Sequence, residues 1–220
     1  MTHSGRPPVI VLDGPAGAGK SSVAREIAKR LGLPFLDTGA IYRAITLIMM
    51  RSGVPPVDSP ELRRELKEFR VFFSGASVCV KGEDVTDAIR TPEIDANVSP
   101  YSAIPAVRDS LLGIQREQRG NGLVAEGRDM GTVVFPDADL KIFLTASPET
   151  RARRRYDERI SRGGNADYDE ILRQVNMRDE IDSTRETAPL KPAGDALLMD
   201  TTVMSFEDVV SGVMKLAGNL

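Results

Sequence analysis

Val9–Asp13 is a short apolar run rich in β-branched residues and ended by a glycine turn, which predicts a buried strand. After the turn, Val23, Ile27, Ala28 and Leu31 fall on one face of a predicted helix over 21–31, with Gly32 placed to stop it. Residues 34–36 predict a second short strand. Residues 39–50 predict a second helix, closed by Gly53 and the Pro55-Pro56 pair.

The texture then changes. Residues 61–68 read as a short charged helix. Residues 70–74, 77–81 and 84–86 read as brief β segments, split by Gly75-Ala76 and Gly82-Glu83. Breaks of that length predict antiparallel hairpins, hence a small insert at about 62–101. Beyond it the pattern resumes with a helix over 105–119 and strands at 123–125 and 140–144. Pro148 opens an arginine-rich helix that breaks at Gly163-Gly164. Residues 168–183, with Ile171, Leu172, Val175 and Ile181 on the apolar positions, read as another helix. A strand at 196–200 and a helix at 206–216 follow. Strands alternating with helices predict an α/β fold: a central parallel sheet flanked by helices in three layers, with the antiparallel β insert added.

Composition narrows the class. Hydrophobic residues are 41% and charged residues 28%, ordinary for a globular chain of 220 residues. No apolar run approaches the ~18 residues of a membrane span, and no charged-then-apolar leader pattern is seen near Met1. The single cysteine, Cys79, excludes an intrachain disulfide framework, so a cytoplasmic location is expected. One histidine, His3, and one cysteine argue against a structural zinc site. No long apolar surface stripe is evident, so a monomer is expected. Net charge is −3, yet 151–162 holds six arginines against only Asp157 and Glu158.

The strongest chemical signal is Gly14-Pro15-Ala16-Gly17-Ala18-Gly19-Lys20-Ser21. Glycines at this spacing let the chain turn tightly so that backbone N–H groups converge on phosphate oxygens. Lys20 adds a point charge for the β and γ phosphates, Ser21 offers a hydroxyl to Mg²⁺, and Ser22 follows at the start of a helix whose positive end faces the same anion. The motif lies between a buried strand and an amphipathic helix, the context a P-loop for ATP requires.

Three later stretches carry further candidates. Asp37-Thr38-Gly39-Ala40-Ile41-Tyr42-Arg43 follows the second strand. It reads either as a second anion site using the Thr38 hydroxyl and Arg43, or as a plain helix start with Thr38 as cap. Glu126-Gly127-Arg128-Asp129-Met130-Gly131-Thr132 follows a buried strand, and ligands of parallel sheets sit beyond the carboxyl ends of strands. Two basic stretches, 151–162 and 178–185, could neutralise a transferring phosphoryl group or be solvated faces. A mobile arginine-bearing segment at about 150–166, hinged at Gly163-Gly164, reads as a lid.

The residues at 37–43, Gly127-Arg128-Asp129-Met130-Gly131-Thr132-Val133-Val134-Phe135-Pro136-Asp137, Lys141-Ile142-Phe143-Leu144, and Arg185 with Ala188-Pro189-Leu190 resemble bacterial cytidylate kinases. The likeness runs from about residue 8 to the C-terminal helix. Two departures are Glu126, where aspartate is expected, and Thr38, where serine is common. The resemblance implies ATP- and Mg²⁺-dependent phosphorylation of CMP and dCMP. It implies a kinase core over 1–61 and 102–220, and an insert over 62–101 that binds the monophosphate. By position, Lys20, Arg43 and Arg128 would hold the CMP phosphate, in the stretch that also holds Thr38 and Tyr42. Ser99, Arg108 and Asp129 would face cytosine. Arg178, Asp182 and Arg185 would reach the sugar and base edge, and Arg153, Arg154 and Arg155 would belong to the lid over ATP.

Other classes fit less well. Adenylate and shikimate kinases do not share the three-segment β insert. A GTP-dependent switch needs a guanine-reading Asn-Lys-x-Asp, which is absent from the sequence. Net charge −3 and 5% aromatics argue against a nucleic-acid platform.

Overall fold

The computed structural model describes residues 6–74, 77–161, 163–218 and 220; His3, the Gly75-Ala76 break and Arg162 lie outside them. β1 (Val9–Asp13) is buried along its whole length. It is the middle of a five-stranded sheet, joined by β2 (Phe35–Asp37), β6 (Leu123–Glu126), β7 (Leu140–Thr145) and β8 (Leu197–Asp200) in the order β2-β6-β1-β7-β8. Every pairing is parallel. Successive side chains of β1 point to opposite faces. Val9 and Val11 therefore pack with α2 (Thr38–Arg51) and α5 (Pro105–Glu117), while Ile10 and Leu12 pack with α1 (Lys20–Leu31) and α8 (Phe206–Ala217). The three-layer α/β arrangement expected from the alternating pattern is what forms.

Between α2 and α5 lie α3 (Pro60–Glu68), an antiparallel sheet of β3 (Val71–Ser74), β4 (Ser77–Val80) and β5 (Glu83–Asp84), and α4 (Pro92–Ser102). β5 is shorter and earlier than the pattern predicts. The Thr86 hydroxyl accepts from the Val78 amide at 2.9 Å, so a side chain ends the ladder where a strand residue was expected. The buried residues Val71, Val78 and Val80 join the same core as α2, so the small sheet rests on the larger unit.

α4 is an element the hydrophobic pattern did not predict. Its start is well marked, with Thr91 accepting from the Ile94 amide at 3.3 Å and Pro92 in the first turn. Pro100 sits inside it, close to its end, where a lost intrahelical bond costs least.

α6 (Pro148–Ser161) and α7 (Tyr168–Thr184) pack together through a separate small core of Ala152, Ile171 and Val175, flanked by Tyr156, Tyr168 and Leu172. Among the described residues no helix is long and apolar enough to cross a membrane.

The chain leaves β1 at Gly14, with φ 142°, and an added Cβ would lie 1.9 Å from the Leu144 carbonyl oxygen of β7. The clash is with backbone, so no rotamer change relieves it. Gly14→Ala is expected to destabilise the fold by at least about 3 kcal/mol, the upper end of the usual overpacking range. A loss below about 1 kcal/mol in urea unfolding would show that β1 and β7 can part.

Candidate active site

A cleft of about 320 Å³ opens beyond the carboxyl ends of β1, β2 and β6, where ligands of parallel sheets bind. Its floor is the glycine loop. Ala16, Gly17, Gly19, Lys20 and Ser21 line it, whereas Gly14, Pro15, Ala18 and Ser22 form the loop's back and flank. Gly17 has φ 81°, and a Cβ there would lie 3.0 Å from the Cβ of Arg151. The loop therefore packs tightly on α6. Arg151, buried, donates to Ala16 O at 3.1 Å and to both oxygens of Asp179.

Lys20 begins α1 and folds back to donate to Pro15 O at 2.9 Å. Burial, helped by the nearby Arg128, lowers its pKa to about 7. Ser21 donates to Glu126 Oε1 at the end of β6. Burial, helped by Asp37, raises the Glu126 carboxyl above its usual range. Two oxygen donors in this position suit a hard divalent cation that completes its shell with water and substrate phosphate. Among the described residues no group of three or more His, Cys, Asp or Glu could cage an ion unaided. The donor set therefore fits a cation shared with a substrate.

The second wall comes from β2 and α2. Asp37, not Thr38, caps α2, accepting from the Ala40 amide at 2.9 Å. The Thr38 hydroxyl donates to Glu126 O at 2.6 Å, which clips β2 to β6. The cap reading of Thr38 is thus corrected by one residue: Asp37 keeps the extended backbone of a cap, with φ −87° and ψ 92°, while Thr38 is already helical. Arg43 donates to Asp37 at 3.1 Å, and Arg90 approaches the same carboxylate at 3.5 Å. Thr38, Tyr42 and Arg43 all face the cleft.

Facing them, Arg108 from α5 donates to Ser102 O at 3.1 Å and to Asp129 Oδ2, and stacks 5.3 Å above the Tyr42 ring. Ser99 is buried one layer behind the lining residues Val98 and Ser102. From α7, Asp182 receives Arg128 at 2.9 Å, Arg185 at 3.4 Å and Arg178 at 3.9 Å. Burial opposes its charge, but the three guanidinium groups prevail and hold its carboxyl below the usual range. Arg178 is itself lowered to about 9, by burial and by repulsion from Arg128.

The three arginines expected in a lid separate by helical phase. Arg155 reaches across the cleft to Asp95 of α4 at 2.9 Å, and Arg154 donates to Thr201 O at 2.6 Å while lining the cleft. Arg153 does not line it. Its guanidinium lies on the rings of Tyr156 and Tyr168, at 5.4 and 5.0 Å. Successive helical residues point about 100° apart, so the three could not share one face.

The cleft also holds charged residues outside the expected set: Asp37, Arg90, Asp95, Glu126 and Glu158. Asp37 and Glu126 border motifs visible in the sequence. Arg90 ends a short helical turn, and Asp95 lies in the first turn of α4, which the hydrophobic pattern did not predict.

A solved structure of an uncharacterized protein from Eubacterium ventriosum ATCC 27560 superposes with a TM-score of 0.52, 12% identity and coverage of 97% and 99% of the two chains, a likeness of fold alone. Cytidylate kinases of Mycobacterium leprae (strain Br4923) and Pseudomonas aeruginosa (strain UCBPP-PA14) are each 48% identical. The match spans 94% of both chains in the first and 96% of both in the second. The family model for cytidylate kinase matches residues 10–219. This chain, with its glycine loop, arginine-lined cleft and near full-length likeness to those enzymes, belongs to the cytidylate kinase family.

Proposed function

We propose that the chain transfers the γ-phosphoryl group of ATP to the phosphate of CMP or dCMP, giving ADP and CDP or dCDP. One observation carries this reading beyond family membership. Among the described residues, three buried nitrogens of cleft-lining arginines have no hydrogen-bond partner: Arg43 Nε, Arg178 Nε, which only approaches Asp182 at 3.9 Å, and Arg185 Nη2. Buried donors left unsatisfied cost roughly 1–3 kcal/mol each, so their clustering suits a ligand that supplies acceptors.

Each wall has a task in this reading. Lys20, Arg43 and Arg128 hold the acceptor phosphate against the glycine loop. Asp129 accepts from the cytosine amino group, while Arg108 meets its ring-nitrogen and carbonyl edge and Ser99 backs that wall. Arg108 is pinned to Asp129, so donor and acceptor are fixed side by side. Uracil reverses the pattern at the discriminating atoms and would leave both unpaired. Arg178, Asp182 and Arg185, which line the same cleft, reach the sugar and base edge in this reading.

In the reaction an oxygen of the CMP phosphate forms a bond to the γ-phosphorus as the bond to the β,γ-bridging oxygen breaks. The transition state is loose and its charge spread over peripheral oxygens, so positioning and neutralisation dominate. Lys20, Arg128, Arg154 and Arg155 supply cations on different sides of that point, and closure of the lid excludes water. Ser21 and Glu126 would hold Mg²⁺, which would supply charge neutralisation to the phosphates.

The direct test is turnover with ATP and a panel of nucleoside monophosphates. CMP and dCMP are expected to exceed UMP, AMP and GMP in kcat/KM, and Asp182→Asn to narrow the gap between CMP and dCMP. AMP or shikimate as the better acceptor would overturn the assignment.

Protonation offers a second check. Free Lys20 titrates near 7, so at pH 8 it is mostly neutral, and a bound polyphosphate pulls its pKa back towards 10.5. A pKa that rises on binding means proton uptake. ATP binding at pH 8 is therefore expected to take up a proton, read by calorimetry in buffers of different ionisation heat, and Lys20→Met to abolish that uptake. Equal heats in both buffers for the wild type would place Lys20 away from the phosphates.

The lid arginines give the sharpest contrast. Arg153→Ala is expected to leave kcat within about twofold, as for a solvated charge, because its partners are the lid's own tyrosines. Arg155→Ala is expected to lower kcat more than ~100-fold with little change in melting temperature, as for a cation on the transferring group. Equal effects of the two would remove Arg155 from the reaction.

A further inference from the structure

Asp13 ends β1 immediately before the glycine loop, and neither the phosphate cradle nor the base contacts described above use it. It is buried, 4% exposed, and both its oxygens are engaged by backbone. Oδ1 accepts from the Met130 amide and Oδ2 from the Gly131 amide, each at 2.8 Å. Those two amides open the wide helical turn Met130–Val134. The first N–H groups of such a turn have no partner inside it. Here the cap comes from a strand 117 residues earlier in the chain. Asp13 is thus a remote cap that ties the loop after β6 to the strand that feeds the glycine loop.

The tie is rigid at both ends. Asp13 is in register with Phe143 of β7, and the next residue, Gly14, is pressed against Leu144 O. On the other side, a Cβ on Gly131 would lie 3.1 Å from Lys141 Cδ and 3.4 Å from Asp13 Oδ2, so the turn is seated closely on the carboxylate. Directly upstream stand Asp129, paired with Arg108, and Arg128, paired with Asp182. Keeping a carboxyl here is costly. Burial pushes its pKa up to about 6, against the pull of the Gly131 and Met130 amides.

We propose that Asp13 is a positioning residue for substrate selection: by capping Met130 and Gly131 it fixes the base-reading Asp129 and the adjacent Arg128 relative to the phosphate loop. Donor and acceptor sites thereby share one reference point, the carboxyl end of β1. The inference rests on the CMP kinase reading, and it assigns no contact between Asp13 and either nucleotide.

The test compares wild type with Asp13→Asn, which keeps size but turns an amide N–H₂ towards one of the two N–H donors. Wild-type preference for CMP over UMP is measured first; a wild type without CMP turnover overturns the functional reading and this one with it. In Asp13→Asn, the ratio of kcat/KM for CMP to that for UMP is expected to fall about tenfold or more, with KM for ATP within about twofold, as sub-ångström misplacement of a reading group would produce. Hydrogen exchange at Met130 and Gly131 is expected to accelerate while β1 and β7 stay protected. An unchanged CMP-to-UMP ratio, or equal losses for ATP and CMP, overturns the proposal while leaving the kinase reading intact. Asp13→Ser replaces the asparagine variant if that one does not fold. Failure of both to fold also overturns it, because the carboxylate is then a requirement of folding rather than of selection.

Discussion

Asp182 sits almost fully buried with Arg128 at 2.9 Å, Arg185 at 3.4 Å and Arg178 at 3.9 Å, and the rest of the site is arranged around that imbalance. One carboxylate cannot neutralise three guanidinium groups, and burial raises the cost of the excess. Arg178 shows the strain as a pKa lowered to about 9. Around this point Arg43 pairs with Asp37 on its own wall, while Arg90, Arg154 and Arg155 each borrow a carboxylate or carbonyl from another element. A folded core that only had to be stable would not gather charge in this way. The arrangement becomes favourable when a polyanion enters, so the cost is borne by the free protein and relieved on binding.

What allows such a cluster is the sheet behind it. β1 has core on both faces and is flanked by β6 and β7 in fixed register, so the loops at its carboxyl end start from backbone that cannot shift. The Thr38 hydroxyl clips β2 to β6 at the same level, and Arg151 ties the glycine loop to α6 and α7. The cations are therefore held apart by hydrogen bonds to backbone as well as by their partial pairing with carboxylates. Electrostatic pre-organisation of this kind needs walls that do not relax when the charges repel.

How much of this could be read from the sequence follows from the range of each interaction. β1, α1 and the glycine loop were legible because burial on both faces and close glycine spacing are local patterns. α4 was not, because Pro100 and a mostly polar surface hid its period, and with it went Asp95 and the setting of Ser99. One of the two readings of Thr38 put the α2 cap a residue late, since Asp37 and Thr38 are both good caps and only the backbone decides between them. The three lid arginines are adjacent in sequence, yet rotation about the helix sends Arg153 to two tyrosines and Arg155 to a carboxylate 60 residues away. Pairings such as that one, or Asp13 with Met130, depend on the closed tertiary structure and leave no trace in spacing.

The lid joins these themes. α6 and α7 share a core of only Ala152, Ile171 and Val175, with Tyr156, Tyr168 and Leu172 against it, so the pair coheres as a unit without being deeply set in the main cores. Arg153, lying on both tyrosines, belongs to that cohesion. Arg154 and Arg155 instead tether the unit outward, to Thr201 after β8 and to Asp95 on α4. Both tethers are polar, part-exposed and weak enough for phosphate oxygens to compete with them. On the lid reading proposed above, a ligand that takes Arg155 from Asp95 would uncouple α4 from α6 as it engages α6 itself. Occupation of the cleft would then be linked to the position of both walls through the charge imbalance around Asp182.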